Sequence, residues 1–336
     1  MTNPVLVELT RGDLVESVHR GALAVVDARG AVVASLGDID SPVYSRSSLK
    51  PMQTMVLVES GAADAFGLSD EEIALACASH SGEPMHATRV AAWLERIGLG
   101  ESDLACGAHP SRYEPVVEAM IRAGEKPSRL HNNCSGKHTG FLTVARHWDV
   151  ATEGYERVDH PVQRAVAAAL RELSGATDLP YGIDGCAAPN FATSLAAFAR
   201  AAARMASGHG LARPRADAAR RIVGAMIAHP ELMSGTGRTC ATLIRASGGR
   251  AAVKTGAEGF FGGWIPDLGL GIAIKIDDGA GRASETVIAA LLDKLGLLGD
   301  DTKARTVLRG PVRNTRGTVV GEHRPTPTLA ALSLGH

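Results

Sequence analysis

A serine and a lysine three positions apart, Ser47 and Lys50, are the first residues in this chain whose types and spacing could do chemistry. They stand in Ser47-Ser48-Leu49-Lys50, just ahead of Pro51 and the apolar run MQTMVLVE. The spacing predicts that they open a helix, where positions i and i+3 share a face. Proline is tolerated there because the N–H groups of a first turn have no partner within the helix. Those same N–H groups would face the site. Serine is a weak nucleophile until a base takes its proton. A lysine amine has an ordinary pKa of about 10.4 and is protonated at neutral pH. It can act as the base only where burial or a second nearby cation depresses that value.

A second constellation supplies such a cation. Lys254-Thr255-Gly256 ends a predicted strand in the C-terminal part. Ser-x-x-Lys followed much later by Lys-Thr-Gly is the motif pair of serine β-lactamases and penicillin-binding proteins. Their middle motif, Ser-Asp-Asn, has no match here. Its slot is offered by Ser79-His80-Ser81, on the loop after a helix opened by the capping pattern Ser69-Asp70-Glu71-Glu72. Lys254 could lower the pKa of Lys50 and could also pair with Ser79. The plainer alternative is a chance tripeptide on an ordinary strand.

The third constellation is His131-Asn132-Asn133-Cys134-Ser135-Gly136-Lys137-His138, with Asp184-Gly185-Cys186 some fifty residues on. Cys134 and Cys186 lie in loops rich in glycine and polar residues, not on apolar helix faces. With His131, His138 and Asp184 nearby they could hold a soft divalent metal such as zinc. The spacing matches no common zinc signature, so a pair of loop cysteines or a substrate-binding loop stays open. Cys77, Cys106 and Cys240 sit among apolar neighbours and read as core filler. Five cysteines, an odd number in a chain read as carrying no signal peptide, point to reduced thiols in the cytoplasm.

The elements that must position these groups come in a clear order. VLVEL, ALAVVD and AVVASLGD read as strands, the last two as a hairpin around Asp27-Ala28-Arg29-Gly30. From residue 47 to about 249 the chain is Ala-rich and mostly helical, broken by the loops HSGEP, HNNCSGKH and GIDGCAAPN. AAVKTG, GFFGGWIPD and LGLGIAIKID read as strands again, before a helix SETVIAALLDKLG. The expected fold is therefore α+β. Strands of about 1–46 and 250–320 join into one antiparallel sheet, and a helical lobe of about 47–249 packs on it, all one domain with a cleft between the lobes. The basic stretch Lys303–Arg324 reads as a solvated tail.

Composition narrows the function. The chain has 336 residues, 45% of them hydrophobic, and a net charge of −1 with the signs mixed along its length. No basic stripe suggests nucleic acid. No apolar run reaches the ~18 residues of a membrane span.

Taken block by block, the chain resembles the rhizobial-type, thermolabile L-asparaginases. RGDLVES-HRG, SRSSLKPMQ, ACASHSGEP, HNNCSGKHTGF, DGCAAPNFA, HPELMSG-TGR and VKTGAEGFF occur in that family's order; only the tail from about residue 302 matches less clearly. The resemblance implies a fold similar to serine β-lactamases, penicillin-binding proteins and glutaminases. It implies two Ser-Lys tandems, here Ser47 with Lys50 and Ser79 with Lys254. It also implies a zinc site made by Cys134, Lys137 and Cys186, and a cytoplasmic homodimer. A lysine ligand must be neutral to donate its lone pair.

The activity so implied is hydrolysis of L-asparagine to L-aspartate and ammonia. Ser47 would attack the side-chain amide with Lys50 as base, and the N–H groups of Ser47 and Ala257 would hold the oxyanion. Ser79 and Lys254 would relay a proton to the departing ammonia. Arg46 is the expected partner of the α-carboxylate, Asp184 of the α-ammonium, and His138 a further substrate contact. Glutaminase is the chemically nearest alternative. A β-lactamase or transpeptidase is disfavoured by the missing Ser-Asp-Asn motif and the missing export signal. A binding protein on an inactive hydrolase scaffold is disfavoured by the retained serines and lysines.

Overall fold

The computed structural model describes residues 2–335. The chain forms two compact units. One comprises residues up to 48, 192–210 and 242 onward; the other comprises 49–191 and 211–241.

The strands are β1 (Val5–Arg11), β2 (Leu14–Asp27), β3 (Val32–Leu36), β4 (Val43–Tyr44), β5 (Tyr181–Ile183), β6 (Pro189–Thr193), β7 (Ala252–Thr255), β8 (Phe260–Ile265), β9 (Leu270–Ile276), β10 (Gly310–Arg313) and β11 (Val319–Pro325). The first unit is built on an antiparallel sheet in the order β10-β11-β1-β2-β9-β8-β7, with β3 alongside β2. The two ends of the chain are thus joined in one sheet, as the strand pattern implies. β2 changes partners midway: Leu14–Arg20 pairs with β1, whereas Gly21–Asp27 pairs with β9. At the changeover a Cβ on Gly21 would lie 2.5 Å from the Lys275 carbonyl oxygen, so only glycine fits. The expected β2–β3 hairpin is present, its turn closed by Asp27 Oδ1 accepting from the N–H groups of Arg29 and Ala31.

Ala22–Val26 are all buried because helices cover both faces of the sheet. A Cβ on Gly262 would meet Phe198 of the helix Leu195–Ser207, and one on the next residue, Gly263, would meet Ile288 of the helix Gly281–Lys294. Successive strand residues point to opposite faces, so the two helices lie on opposite sides. Leu195–Ser207, expected in the helical lobe, belongs to the sheet unit. The reason is close approach: a Cβ on Gly271 would lie 1.9 Å from the Ala199 carbonyl oxygen, and the Ala-rich helix face lets its backbone settle on that glycine.

The basic C-terminal stretch is not a solvated tail. It forms the helix Thr302–Leu308 and the hairpin β10–β11, and β11 pairs with β1. Its arginines are held by carboxylates: Arg309 by Glu322, and Arg324 by Glu8 and Glu322.

The second unit packs around the helix Lys50–Glu59, whose residues Lys50 to Val58 are all buried. The helices Asp70–Ala76, Ser135–His147, Pro161–Ser174 and Arg213–Ala228 surround it. A helix buried all round has no polar stripe, so its buried Lys50, Gln53 and Thr54 each need a specific reason to be there. For Thr54 the reason is local, since its hydroxyl donates to the Lys50 carbonyl oxygen. Lys50 has a larger role, described below.

Candidate active site

Each unit carries its own half of the expected chemistry. In the sheet unit, Ser47 lies in a single 3-10 turn, Arg46–Leu49, immediately before the helix that begins at Lys50. Arg46 has φ +50°, a left-handed conformation that a residue with a Cβ adopts at a cost of about 1–3 kcal/mol. Ala187 and Glu258 share this feature, directly after Cys186 and Ala257. Such strain persists only where the surroundings over-determine it, and here it brackets three of the expected site segments.

The end of β7 is pressed against the Ser47 turn. The buried Ser48 hydroxyl donates to the Lys254 carbonyl oxygen at 2.7 Å. A Cβ on Gly256 would lie 2.5 Å from the Ser45 carbonyl oxygen and 3.1 Å from Ser48 Oγ. The glycine of Lys-Thr-Gly is therefore the residue that lets the strand approach this turn. Lys254 is fully buried and its Nζ donates to the Thr255 carbonyl oxygen at 2.7 Å. Ala257 is exposed in the β7–β8 turn, which is closed by Gly256 N–H on the Phe260 carbonyl and Phe260 N–H on the Ala257 carbonyl. Its own N–H takes no part in that closure.

In the helical unit, Lys50 is buried and donates to three oxygens: the carbonyls of Ala78 and Asn133, the latter at 3.1 Å, and Ser79 Oγ at 3.1 Å. An ammonium has three donors, and all three are used. The sequence pattern pairs Lys50 with Ser47; within this unit its hydroxyl partner is Ser79. The Ser79 loop is itself clamped. Ser79 N–H donates to the Met233 carbonyl. The Glu83 carboxylate accepts from Ser81 Oγ, Thr236 N–H and Thr236 Oγ1. Burial alone would raise the Glu83 pKa, but these donors hold it below the usual carboxylate range. His80 and His86 stack with centroids 4.8 Å apart, and burial depresses both.

The cysteine cluster sits beside this loop. Gly136 permits it: a Cβ there would lie 2.3 Å from the Leu75 carbonyl oxygen. Lys137 Nζ lies 3.1 Å from Cys186 Sγ, and both residues are buried. The thiol of Cys134, followed by the Lys137 charge after allowing for burial, holds Cys186 far below an ordinary thiol. Cys134 Sγ donates to Asn133 Oδ1 at 3.1 Å, and its thiol is pushed up by the neighbouring Cys186 and then by burial. Burial opposes charge on Lys137, yet the two sulfurs more than offset it and raise its pKa. These directions favour charge on Lys137 and Cys186 and a proton on Cys134. His138 is depressed by burial, its Nδ1 is 2.7 Å from the Tyr155 hydroxyl, and its Nε2 has no well-formed hydrogen bond. Asp184 is close enough to support the Lys137 charge.

Among the described residues no three His, Cys, Asp or Glu side chains gather as a metal site. A metal here would need the Lys137 amine as its third donor. With the Lys137 amine beside the Cys186 sulfur and Cys134 near enough to influence both, the donor set suits a soft, tetrahedral cation such as zinc.

Cys77, Cys106 and Cys240 are buried free thiols, as their apolar surroundings imply; burial pushes Cys106 up to about 12. Sequence reasoning missed Asn133 and Ala78, which act through backbone carbonyls that carry no side-chain signal. It missed Tyr155, a lone aromatic in the loop GYER whose hydroxyl accepts from Ala105 N–H and meets His138. It also missed Glu83, although the block HSGEP contains it.

Fold and site together place the protein in the α+β class, with an antiparallel sheet made from both ends of the chain. The chain belongs to the L-asparaginase II family, whose pattern matches residues 7–325. It is accordingly a hydrolase. No curated protein matches it in sequence. Among solved structures it is similar to a β-lactamase from Mycobacterium bovis, at 14% identity over 86% of this chain and 93% of that one, with a TM-score of 0.44. It is also similar to a putative β-lactamase from Bacteroides dorei, at 15% identity over 76% of this chain and 84% of that one, TM-score 0.41. A structure of Mglu in its tris and glutamate form is similar at 16% identity over 89% of this chain and 64% of that one, TM-score 0.41. Among the described residues no helix is long and apolar enough to cross a membrane.

Proposed function

We propose that this chain hydrolyses the side-chain amide of L-asparagine to L-aspartate and ammonia through an acyl-enzyme on Ser47. The observation that carries the reading is the fit of the Lys-Thr-Gly strand against the Ser47 turn, with Gly256 in contact with Ser45 and Ser48 in a chain of the L-asparaginase II family. A nucleophile on a strained, fixed turn beside an exposed strand-end N–H suits acyl transfer, because the oxyanion needs donors already in place. In this reading Ser47 attacks the amide carbon and Lys50 takes its proton. The N–H groups of Ser47 and Ala257 receive the oxyanion. Ser79 and Lys254 pass a proton to the departing amide nitrogen, and water then releases aspartate. Lys50 must give up its proton to act as base, so its contact with Ser79 Oγ is a ready route for that proton.

Cys134, Lys137 and Cys186 would hold zinc. When bound, the metal supplies a fixed positive charge that shapes the surrounding loops and favours an anionic substrate group. The chain's own residues perform the bond-breaking steps. Asp184 and His138 line the same loops and are substrate contacts in this proposal, with Arg46 on the nucleophile turn. The family resemblance extends the proposal to a cytoplasmic homodimer, which sedimentation of the purified protein would test.

Ammonia release from L-asparagine and from L-glutamine, measured side by side with a chromogenic β-lactam as control, tests the reading. Turnover of L-asparagine with little of the other two supports it. Preference for glutamine or for the lactam overturns it.

A further inference from the structure

The turn that carries Ala257 is built on a glutamate in a conformation glutamate disfavours. Ala257, Glu258, Gly259 and Phe260 join β7 to β8, and Phe260 N–H donates to the Ala257 carbonyl oxygen. Both central residues have positive φ, +57° at Glu258 and +69° at Gly259. That is the mark of a type I′ turn. Its first central position favours asparagine, aspartate or glycine, which reach the left-handed region with little strain. A glutamate there needs a hold from outside the turn.

Lys275 supplies that hold. It lies on β9 directly across from Phe260 and is half-buried. Its Nζ donates to the Glu258 carbonyl oxygen at 2.6 Å and to the Ile276 carbonyl oxygen at 2.6 Å. The second contact fixes the ammonium on its own strand; the first carries that fixed point to the strained residue. Hydrogen bonds from a charged donor are stronger than neutral ones. Gly279 also closes on Glu258, for a Cβ on it would lie 2.8 Å from Glu258 Oε2 and 3.4 Å from Glu258 Cα. The consequence falls on Ala257. With Glu258 free to leave the left-handed region, the bonds that close the turn, Gly256 N–H on Phe260 and Phe260 N–H on Ala257, would loosen. The exposed Ala257 N–H would then lose its fixed direction.

We propose that Lys275 is a positioning residue for the oxyanion site, pinning Glu258 in its left-handed conformation so that the Ala257 N–H stays aimed at the reacting amide. This rests on the amidase reading above and adds to it the device that fixes one of its two oxyanion donors. Lys275 itself touches no substrate and acts only through the turn. An oxyanion donor is effective because it is in place before charge develops, so a donor free to swing forfeits part of its effect.

Steady-state kinetics with L-asparagine on Lys275→Met, Lys275→Arg, Glu258→Asn and the Lys275→Met, Glu258→Asn double variant test the pin. Lys275→Met should lower kcat about tenfold or more, a part of the roughly hundredfold lost with a whole oxyanion donor, and change KM less. Lys275→Arg keeps a charged donor and should recover part of the loss. Glu258→Asn turns the central pair into Asn-Gly, which adopts the type I′ turn unaided, so alone it should stay near wild type. In that background the loss from Lys275→Met should shrink to about threefold or less, because the two residues act through one conformation. A lysine that served only the stability of the sheet would cost the same in both backgrounds. Amide hydrogen exchange gives a reading independent of turnover: Gly256 and Phe260 should exchange faster in Lys275→Met and regain protection in the double variant. Absence of ammonia release by the wild type would defeat the amidase reading. Wild-type turnover with kcat unchanged in Lys275→Met, or with equal losses in both backgrounds, would defeat the pin alone.

Discussion

Lys50 Nζ lies 3.1 Å from Ser79 Oγ, in a buried nest completed by the carbonyls of Ala78 and Asn133. One ammonium thereby ties together the helix Lys50–Glu59, the Ser79 loop and the loop that carries Cys134. Residues that act as a unit are not additive when removed. Lys50→Met should abolish most turnover, by a hundredfold or more on the order of magnitude expected for a lost base. Ser79→Ala added to it should cost little further. A double-mutant cycle on kcat/KM checks this, and full additivity of the two losses would show that the pair does not work as one relay.

Ser47→Ala should remove acyl-enzyme formation while leaving the fold intact, because Ser47 is half-exposed and its neighbour Ser48 makes the contact to β7. Loss of a nucleophile costs several orders of magnitude in turnover. Circular dichroism should match the wild type, and rapid-mix mass spectrometry should find no covalent adduct. Retention of more than roughly a tenth of wild-type turnover would assign the nucleophile elsewhere.

Gly256 is tested by adding one methyl group. Gly256→Ala would place a carbon 2.5 Å from the Ser45 carbonyl oxygen, where backbone and not a flexible side chain must yield. Overpacking of this kind costs about 1–3 kcal/mol. The expected outcome is a lower melting temperature together with a fall in kcat, since β7 and the Ser47 turn would be forced apart. A variant as stable and as active as the wild type would show that the close approach is not needed.

Glu322 gives a pH test of the terminal strands. Hydrogen bonding from Arg309, reinforced by Arg324, lowers its carboxyl to about 2. A depressed carboxylate contributes stability that is fully present above its unfolded pKa of about 4.3 and is lost as pH falls through the folded value. The site is partly solvent-screened, so the contribution is modest. Glu322→Gln should therefore flatten the decline of melting temperature between about pH 4.3 and pH 2 and have its largest effect near neutrality. An unchanged pH profile would mean that the hairpin β10–β11 is not held by this cluster.

The same hairpin shows where the sequence stops being legible. Ala22–Val26 and Leu270–Ile276 announce themselves because both faces are buried and the residues are almost all apolar. β11 is half-exposed throughout, VVGEHRP, and its pairing with β1 joins Glu8 to Arg324 across the whole chain. Nothing local distinguishes such a strand from a solvated basic tail. β5 and β6 were hidden for a related reason, being short segments inside a loop rich in glycine and proline. In the site, the side-chain motifs around Ser47, Lys50, Ser79 and the cysteines could be read from residue type and spacing. The carbonyls of Ala78 and Asn133 could not, because backbone oxygens carry no side-chain signal.

The cysteine cluster gives the last prediction. Lys137 Nζ lies 3.1 Å from Cys186 Sγ with both residues buried, an arrangement that favours an ammonium–thiolate pair. A buried ion pair is costly to desolvate, and it is weak evidence for a purely stabilising role. Zinc would replace the proton on Lys137 and the one on Cys134 and would use both sulfurs. The protein purified without chelator should therefore contain about one zinc per chain, and Cys134→Ala with Cys186→Ala should contain none. The nucleophile, base and proton relay proposed above lie on other residues, so the double variant should raise KM more than it lowers kcat. Elemental analysis followed by steady-state kinetics separates the outcomes. Wild-type protein free of zinc would leave the lysine–thiolate pair as the functional state. A collapse of kcat at unchanged KM would instead place the metal, or one of the two thiols, in the bond-breaking step.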